Sequence, residues 1–308
     1  MQRLLAMVRR KPEQADHPPP PHSTVTVERE RVDLRKAINA VSDVVQNRPR
    51  PLRVFDQIHM KTGDMVLQAE LIANWADGKR LAFVGDGDAI SVAVAYLQMR
   101  EVLNFGPSAI TVFDFDERTV ESILRFADRE GIEHLDAQLY NVLDPLPRSP
   151  RFDSFYTNPP WGASNSGESV NVFVERGMEL VSYTGEGVVV IADDDELPWP
   201  KQVLASVQTF ALGHDFYVSK MQRKLHEYHL DDAPGLRSCN LYLSALPGNA
   251  PRSASAAITD PKRLENFYGL RQPPRVRYVR ARRILDYGVA HDDEYELEML
   301  ENVSERPD

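Results

Sequence analysis

The run Asp153–Ser169, Asp-Ser-Phe-Tyr-Thr-Asn-Pro-Pro-Trp-Gly-Ala-Ser-Asn-Ser-Gly-Glu-Ser, turns an apolar stretch into a rigid corner. Proline fixes φ, lacks an N–H and forces the preceding residue to be extended. Pro159 and Pro160 therefore present the Asn158 side chain and the adjoining carbonyls outward as acceptors, just after Thr157. Such acceptors can hold an amine by its hydrogens while the nitrogen lone pair points at an electrophile. Trp161, next in the chain, can stack on a planar base or lie against a cation.

Three other stretches carry comparable chemistry. Val84–Ser91 (VGDGDAIS) places Gly85 and Gly87 where a ligand must approach backbone. It adds Asp86 and Asp88, which repel a pyrophosphate and suit a ligand with a cationic centre; Asp88 could equally be the N-cap of the following helix. Phe113–Glu117 (FDFDE) ends a predicted strand with Asp114 and Asp116. A carboxylate there can accept both ribose hydroxyls of a nucleoside; Asp114 is the first choice and Asp116 the second. In NVLDPLP (141–147), Asn141 or Asp144, with Val142 alongside, would lie over the adenine end, or the segment is a plain Asp-Pro turn. Further on, Asp193, Asp194, Asp195 and Glu196 form an acidic run that could pair with ammonium groups or be a solvated loop. His226 and His229 of HEYH lack a nearby third ligand, so no metal site is expected, and Glu227 and Tyr228 are placed in a loop over an acceptor pocket.

Elements that would position these residues follow from periodicity. Strands are predicted at 80–85, 109–116, 135–142, 152–158 and 185–194. Helices are predicted at 88–103, 117–131, 169–182 and 200–213, with Val120, Ile123, Leu124 and Ala127 as the apolar face of the second. This alternation implies crossover units and a mostly parallel sheet. The last two strands, 216–228 (running into a loop) and 238–248, lack a long intervening helix and could pair antiparallel at an edge. A helix near 64–76 precedes the first strand. Val27, Val32, Ile38, Val41 and Val45 suggest an earlier helix within 24–46. The expected organisation is a proline-rich disordered segment (1–23), an N-terminal helix (24–50), a Rossmann-like domain (51–248) and a C-terminal extension (249–308). That extension holds six arginines from Arg271 to Arg283 and an acidic end.

Composition narrows the function. With 308 residues and 42% apolar content, the chain can build a sizeable core. No apolar run approaches the roughly 20 residues of a membrane helix, and the five-residue piece near the start is short of a signal-peptide core. The single cysteine, Cys239, excludes an internal disulfide, and a cytoplasmic location is expected. A net charge of −10 suits a small cationic substrate better than a polyanion.

Taken in order, VGDGD, FDFD and NPPW resemble class I S-adenosylmethionine-type transferases. With FDQIHMKTGDMVLQAELI before the first strand and LHEYHLDDAPGLRSCNLYLS late in the chain, residues 50–247 resemble the catalytic domain of branched-chain polyamine synthases. These are aminopropyltransferases that use decarboxylated S-adenosylmethionine. The resemblance implies a class I methyltransferase-type α/β fold, a mostly parallel seven-stranded sheet with helices on both faces. Two departures stand out. Gly87 replaces one aspartate of the family's Gly-Asp-Asp-Asp loop, and Asn158 replaces the Asp of Asp-Pro-Pro, the family's proposed acid/base. Asn141 also falls where an acidic residue is expected at the adenine amino group.

The expected function is transfer of an alkyl group from an S-adenosylmethionine-type donor to an amine, foremost an aminopropyl group to a polyamine such as spermidine. An amide cannot take a proton, so Asp88 or Asp193 would receive it. The alternatives are adenine-N6 methylation of nucleic acid, with the arginine stretch on phosphates, and an inactive nucleoside-binding relative. A homodimer is compatible with this reading.

Overall fold

Alternate residues of one five-residue strand set the layers. In β1 (Arg80–Val84), Leu81 and Phe83 pack into one apolar cluster while Ala82 and Val84 pack into another. Successive side chains of a strand point to opposite faces, so β1 is central and covered on both sides. The computed structural model describes residues 32–148, 151–250, 254–269, 273–282 and 294–300. Its main sheet adds β2 (Ala109–Asp114), β3 (Leu135–Leu139), β4 (Ser154–Thr157), β5 (Glu186–Asp193), β6 (Phe216–Glu227) and β7 (Arg237–Ala245), in the order β3-β2-β1-β4-β5-β7-β6. The first five pair in parallel; β7 runs antiparallel between β5 and the edge strand β6. The order reverses beside β1, which opens a crevice between the ends of β1, β2 and β4.

One face is covered by α1 (Leu34–Asn47), α2 (Thr62–Trp75), α3 (Ile90–Met99) and α4 (Glu117–Glu130). The other is covered by α5 (Glu168–Leu180), α6 (Pro198–Gly213) and the C-terminal residues. Close packing of α5 on the sheet depends on missing side chains. A Cβ at Gly177 or Gly187 would sit 2.2 Å from the Phe155 ring, so both glycines are required around it.

Element boundaries differ from the sequence reading for identifiable reasons. Asp33 caps α1, accepting from the Arg35 and Lys36 amides, so the helix begins at Leu34; residues 24–31 of the expected helix lie outside the described ones. Ile38 is 41% exposed and Leu124 40%; Ala37, Ala40, Val41 and Val44 face the core of α1, and Phe126 completes the buried face of α4. The helix expected over 88–103 is only Ile90–Met99, because Ala89 turns into the left-handed region at φ 61°. The 216–228 segment stays a strand through Glu227, with bulges along it.

The C-terminal residues pack against the second face. Arg176, fully buried on α5, donates to the carbonyls of Val142 and Ala256, and the Ser169 hydroxyl donates to the Phe267 carbonyl at 2.6 Å. A hairpin of β8 (Val276–Ala281) and β9 (Tyr295–Met299) follows. Within it, Arg277 pairs with Asp144, Arg280 with Glu117 and Glu298, and Arg282 with Glu296. These arginines are therefore neutralised within the chain rather than presented as a phosphate-binding stripe. Arg271 and Arg283 lie outside the described residues. Among the described residues, no helix is long and apolar enough to cross a membrane.

Candidate active site

Where β1 ends, Gly85 adopts φ 74° and its amide donates to the Phe113 carbonyl at 2.8 Å. That turn aims Asp86 back at the start of α3. Asp86 accepts from the Ile90 and Ser91 amides, so it, and not Asp88, caps this helix. A carboxylate at a helix N-terminus is favoured by the orphan N–H groups there. Burial nonetheless raises the Asp86 pKa well above the usual carboxylate range. Gly87 faces open space.

Asp88 points into the crevice. Its oxygens accept from the Met60 amide at 2.7 Å and from the Asn158 side-chain amide at 2.7 Å. The Arg48 guanidinium lies 3.9 Å away and donates to the Asp88 carbonyl. Burial raises the Asp88 pKa, and Arg48 opposes that shift. Asn158 is thus the partner of a buried aspartate, as well as the first residue of the proline corner.

On the other side of the Gly85–Asp88 loop lies a slot suited to a nucleoside. Asp114, the last residue of β2, accepts from the Asp86 and Asp116 amides, 2.9 Å each, which uses one lone pair per oxygen. Burial, reinforced by Asp116, pushes it up to about 7. Phe55, Phe115 and Tyr268 surround the slot. Phe55 meets the other two edge-on at 5.1 and 5.3 Å, and Phe115 stacks with Tyr268 at 6.1 Å. Asn141 and Val142 line its far end. Both ends of the Asn141 amide are engaged: Oδ1 accepts from the Leu143 amide and Nδ2 donates to the Arg277 carbonyl at 2.6 Å.

The proline corner closes the remaining side. Thr157 donates its hydroxyl to the Val84 carbonyl, tying β4 to β1. The indole N–H of Trp161 donates to Asn158 Oδ1 at 3.4 Å, and its ring meets Tyr228 edge-on at 5.0 Å. The Tyr228 hydroxyl contacts Ser238 Oγ, which also bonds the buried His226 ring. His59 completes this wall; burial, with Arg48 adding to it, lowers its pKa to about 3, so its imidazole is neutral.

One cavity joins the slot to the corner. It contains Gly85, Asp86, Gly87, Asp88, Asp114, Asn141, Val142, Asn158, Pro159, Pro160, Trp161 and Tyr228 from the sequence reading. Other expected residues do not line it. Asp116 caps α4 and is held by Arg118. Asp193 is buried against Arg223 and the Lys224 amide. Asp194 accepts from the Glu196 and Leu197 amides, and Glu227 pairs with Lys61 and Arg237. Asp195 pairs with Arg223 and Lys224. Conversely, Phe55, Asp56, His59, Phe115, Tyr140, Phe173 and Tyr268 line the cavity without having been singled out. The motif FDQIH carried a legible signal for some of these, an aromatic and an acid just ahead of the helix that precedes the first strand. Tyr268 had none, since only the docking of the C-terminal residues brings it in.

Comparisons with known proteins agree with this architecture. The family model for the branched-chain polyamine synthase A C-terminal domain matches residues 36–298. The chain is 30% identical over 147 residues to N(4)-bis(aminopropyl)spermidine synthase of Thermococcus kodakarensis, covering 46% of this chain and 39% of that one. The enzyme of that name from Methanocaldococcus jannaschii is 27% identical over 143 residues, 45% of this chain and 38% of its own. These matches span less than half the length of either relative. The fold is that of the branched-chain polyamine synthase from Thermus thermophilus, solved with N4-aminopropylspermidine and 5'-methylthioadenosine. The TM-score is 0.61 at 22% identity, over 75% of this chain and 69% of that one. With its glycine loop, nucleoside slot and proline corner gathered on the switch point of a matching sheet, the chain belongs to the branched-chain polyamine synthase A C-terminal domain family.

Proposed function

We propose that this protein transfers an aminopropyl group from decarboxylated S-adenosylmethionine to an amine of a polyamine such as spermidine. The observation that carries this reading is the carboxyl-rich lining of the cavity, in which no described residue offers a cationic side chain to an anion. Asp56, Asp86, Asp88 and Asp114 line it and, among the described residues, no lysine or arginine does. A donor that kept its carboxylate would place an anion among four carboxyl groups. The decarboxylated donor brings only an ammonium and a sulfonium. A nucleic-acid acceptor fares poorly for the same reason, and the described hairpin arginines are already paired. The ligands named with the Thermus thermophilus structure fit the same reading.

Residue roles follow from the geometry. The aromatic trio takes the adenine, and Asp114 takes the ribose hydroxyls. The acceptor enters by the corner, where Asn158 Oδ1 and the Pro159 carbonyl accept its N–H groups. A secondary ammonium first gives one proton to a carboxylate, which we assign to Asp88. The freed lone pair attacks the aminopropyl carbon, and an N–C bond forms as the C–S bond breaks. Sulfur keeps the bonding pair and leaves as the neutral thioether of 5'-methylthioadenosine, while the tertiary product ammonium keeps its remaining proton. Because the sulfonium is already a reactive electrophile, orientation and one proton transfer are the chief demands.

Three expected results belong to this assignment. Asp114→Ala should weaken 5'-methylthioadenosine binding about 10- to 100-fold by calorimetry, the worth of one or two hydrogen bonds to a charged group. In the unaltered protein, affinity should rise as pH increases through about 7, where Asp114 ionises and can accept from both hydroxyls. Asn158→Asp would set two carboxyl groups at the present 2.7 Å contact, where they share one proton. The acid limb of its pH–rate profile should move up by about one unit or more.

Donor preference tests the reading as a whole. Calorimetry with both donors should give tighter binding of decarboxylated S-adenosylmethionine than of S-adenosylmethionine. Tighter binding of the carboxylated donor, with methylation of an oligonucleotide, would overturn it.

A further inference from the structure

Asp56 stands apart from the other carboxylates of the cavity. Asp86, Asp88 and Asp114 are held within the glycine loop or beside it. Asp56 comes from a different element, the tight turn at Arg53–Phe55 that precedes α2. There it adopts the left-handed conformation, φ 58° and ψ 24°, which is uncommon for a residue with a Cβ and best tolerated by Asn and Asp. Neighbours fix the turn. The Asp56 amide donates to the Arg53 carbonyl, the Gln57 side chain accepts from the Leu52 amide at 2.7 Å, and Phe55 is buried beside Phe115 and Tyr268.

The proline corner explains what faces this carboxylate. Pro159 and Pro160 have no N–H, so the first backbone donor after Asn158 is that of Trp161, and it faces Asp56. Trp161 therefore spans two polar points of the wall. Its indole N–H reaches Asn158, where the acceptor nitrogen reacts, and its backbone amide is beside Asp56. The two polar points thus lie at the two ends of one tryptophan residue. Arg53 on the same turn and Asp232 on the neighbouring loop oppose each other at this site, and burial pushes Asp56 up to about 6, which leaves it ionised at neutral pH.

We propose that Asp56 binds the second ammonium of the acceptor, one linker away from the reacting nitrogen, and so makes the site specific for amines carrying at least two charges. This rests on the aminopropyl-transfer reading and adds to it the residue that selects the substrate class. Asp56 holds the cation and takes no part in the bond changes, so its loss should appear in acceptor binding and not in the chemical step.

The test uses Asp56→Asn, which tolerates the same backbone conformation, keeps an oxygen for the Trp161 amide and removes only the charge. With spermidine as acceptor, KM should rise about 10-fold or more while kcat stays within about threefold and the donor KM is unchanged. A secondary monoamine of matched length should show no change, and Asp56→Glu should restore part of the spermidine affinity. In parallel, spermidine is titrated into protein saturated with 5'-methylthioadenosine, and binding should weaken by the same factor in Asp56→Asn. If the unaltered protein binds spermidine in an Asp56-dependent way without turning it over, the inference stands and the transfer reading fails. An unchanged spermidine KM and affinity, an equal effect on the monoamine, or no spermidine binding by the unaltered protein would each overturn the inference.

Discussion

Asp88→Asn is expected to lower kcat for aminopropyl transfer by about 100-fold or more, the usual worth of a positioned general base. Asp88 is the carboxylate of the cavity in direct contact with the proline corner, through the Asn158 amide. The substitution preserves shape: an asparagine can still accept from the Met60 amide. It removes the one property an amide lacks, the ability to hold the acceptor's proton. Arg48, whose guanidinium lies 3.9 Å from the Asp88 carboxylate, loses a charge partner, so some thermal stability should go as well. The diagnostic is the split between chemistry and binding. Calorimetric affinity for 5'-methylthioadenosine should change little, because the proposed nucleoside contacts are Asp114 and the aromatic slot. A kcat within about threefold of the unaltered protein would remove Asp88 from the proton path.

Arg118→Met should cost about 3–5 kcal/mol of folding free energy, read from urea denaturation. Arg118 and Asp116 are an ion pair with 1% and 0% side-chain exposure. The guanidinium holds both carboxylate oxygens and also reaches the Arg50 carbonyl, with Tyr295 against its face at 5.0 Å. Removing it strands a fully buried carboxylate two residues from Asp114. Replacing both partners removes the stranded charge, so Asp116→Asn combined with Arg118→Met should recover part of the loss. The same variant should weaken 5'-methylthioadenosine binding, because Asp116 would then act on Asp114 without its counter-ion. A loss below about 1 kcal/mol would show that the pair does not anchor the β2–α4 turn.

Asp114 and Asp116 also illustrate what a sequence can and cannot disclose here. Both follow the same apolar strand, and both are acids that could meet a ribose. Their difference is local and conformational: Asp114 is the last strand residue, whereas Asp116 is already the helix cap, bent back onto Arg118 two positions later. The motifs after β1, β2 and β4 were legible because a short apolar run followed by Gly, Asp or Pro marks both the strand end and the crevice beside it. Asp193 also ends a strand, yet it faces Arg223 on β6. That partner is delivered by the antiparallel return of β7 and β6, which has no trace in the spacing around Asp193. Glu227 is likewise taken by Lys61, 166 positions earlier. Long-range pairing decided which acids were left for the cavity, and local pattern cannot report it. Tyr268 and the hairpin arginines show the same thing from the C-terminal side, where the order of residues gave no clue to what they would cover.

In the proposed reaction a three-carbon amine group moves and sulfur leaves as a thioether. This is tested most directly by incubating the protein with decarboxylated S-adenosylmethionine and spermidine and weighing the products by mass spectrometry. The expected products are 5'-methylthioadenosine and spermidine heavier by one aminopropyl group. Unaltered spermidine and intact donor would contradict it.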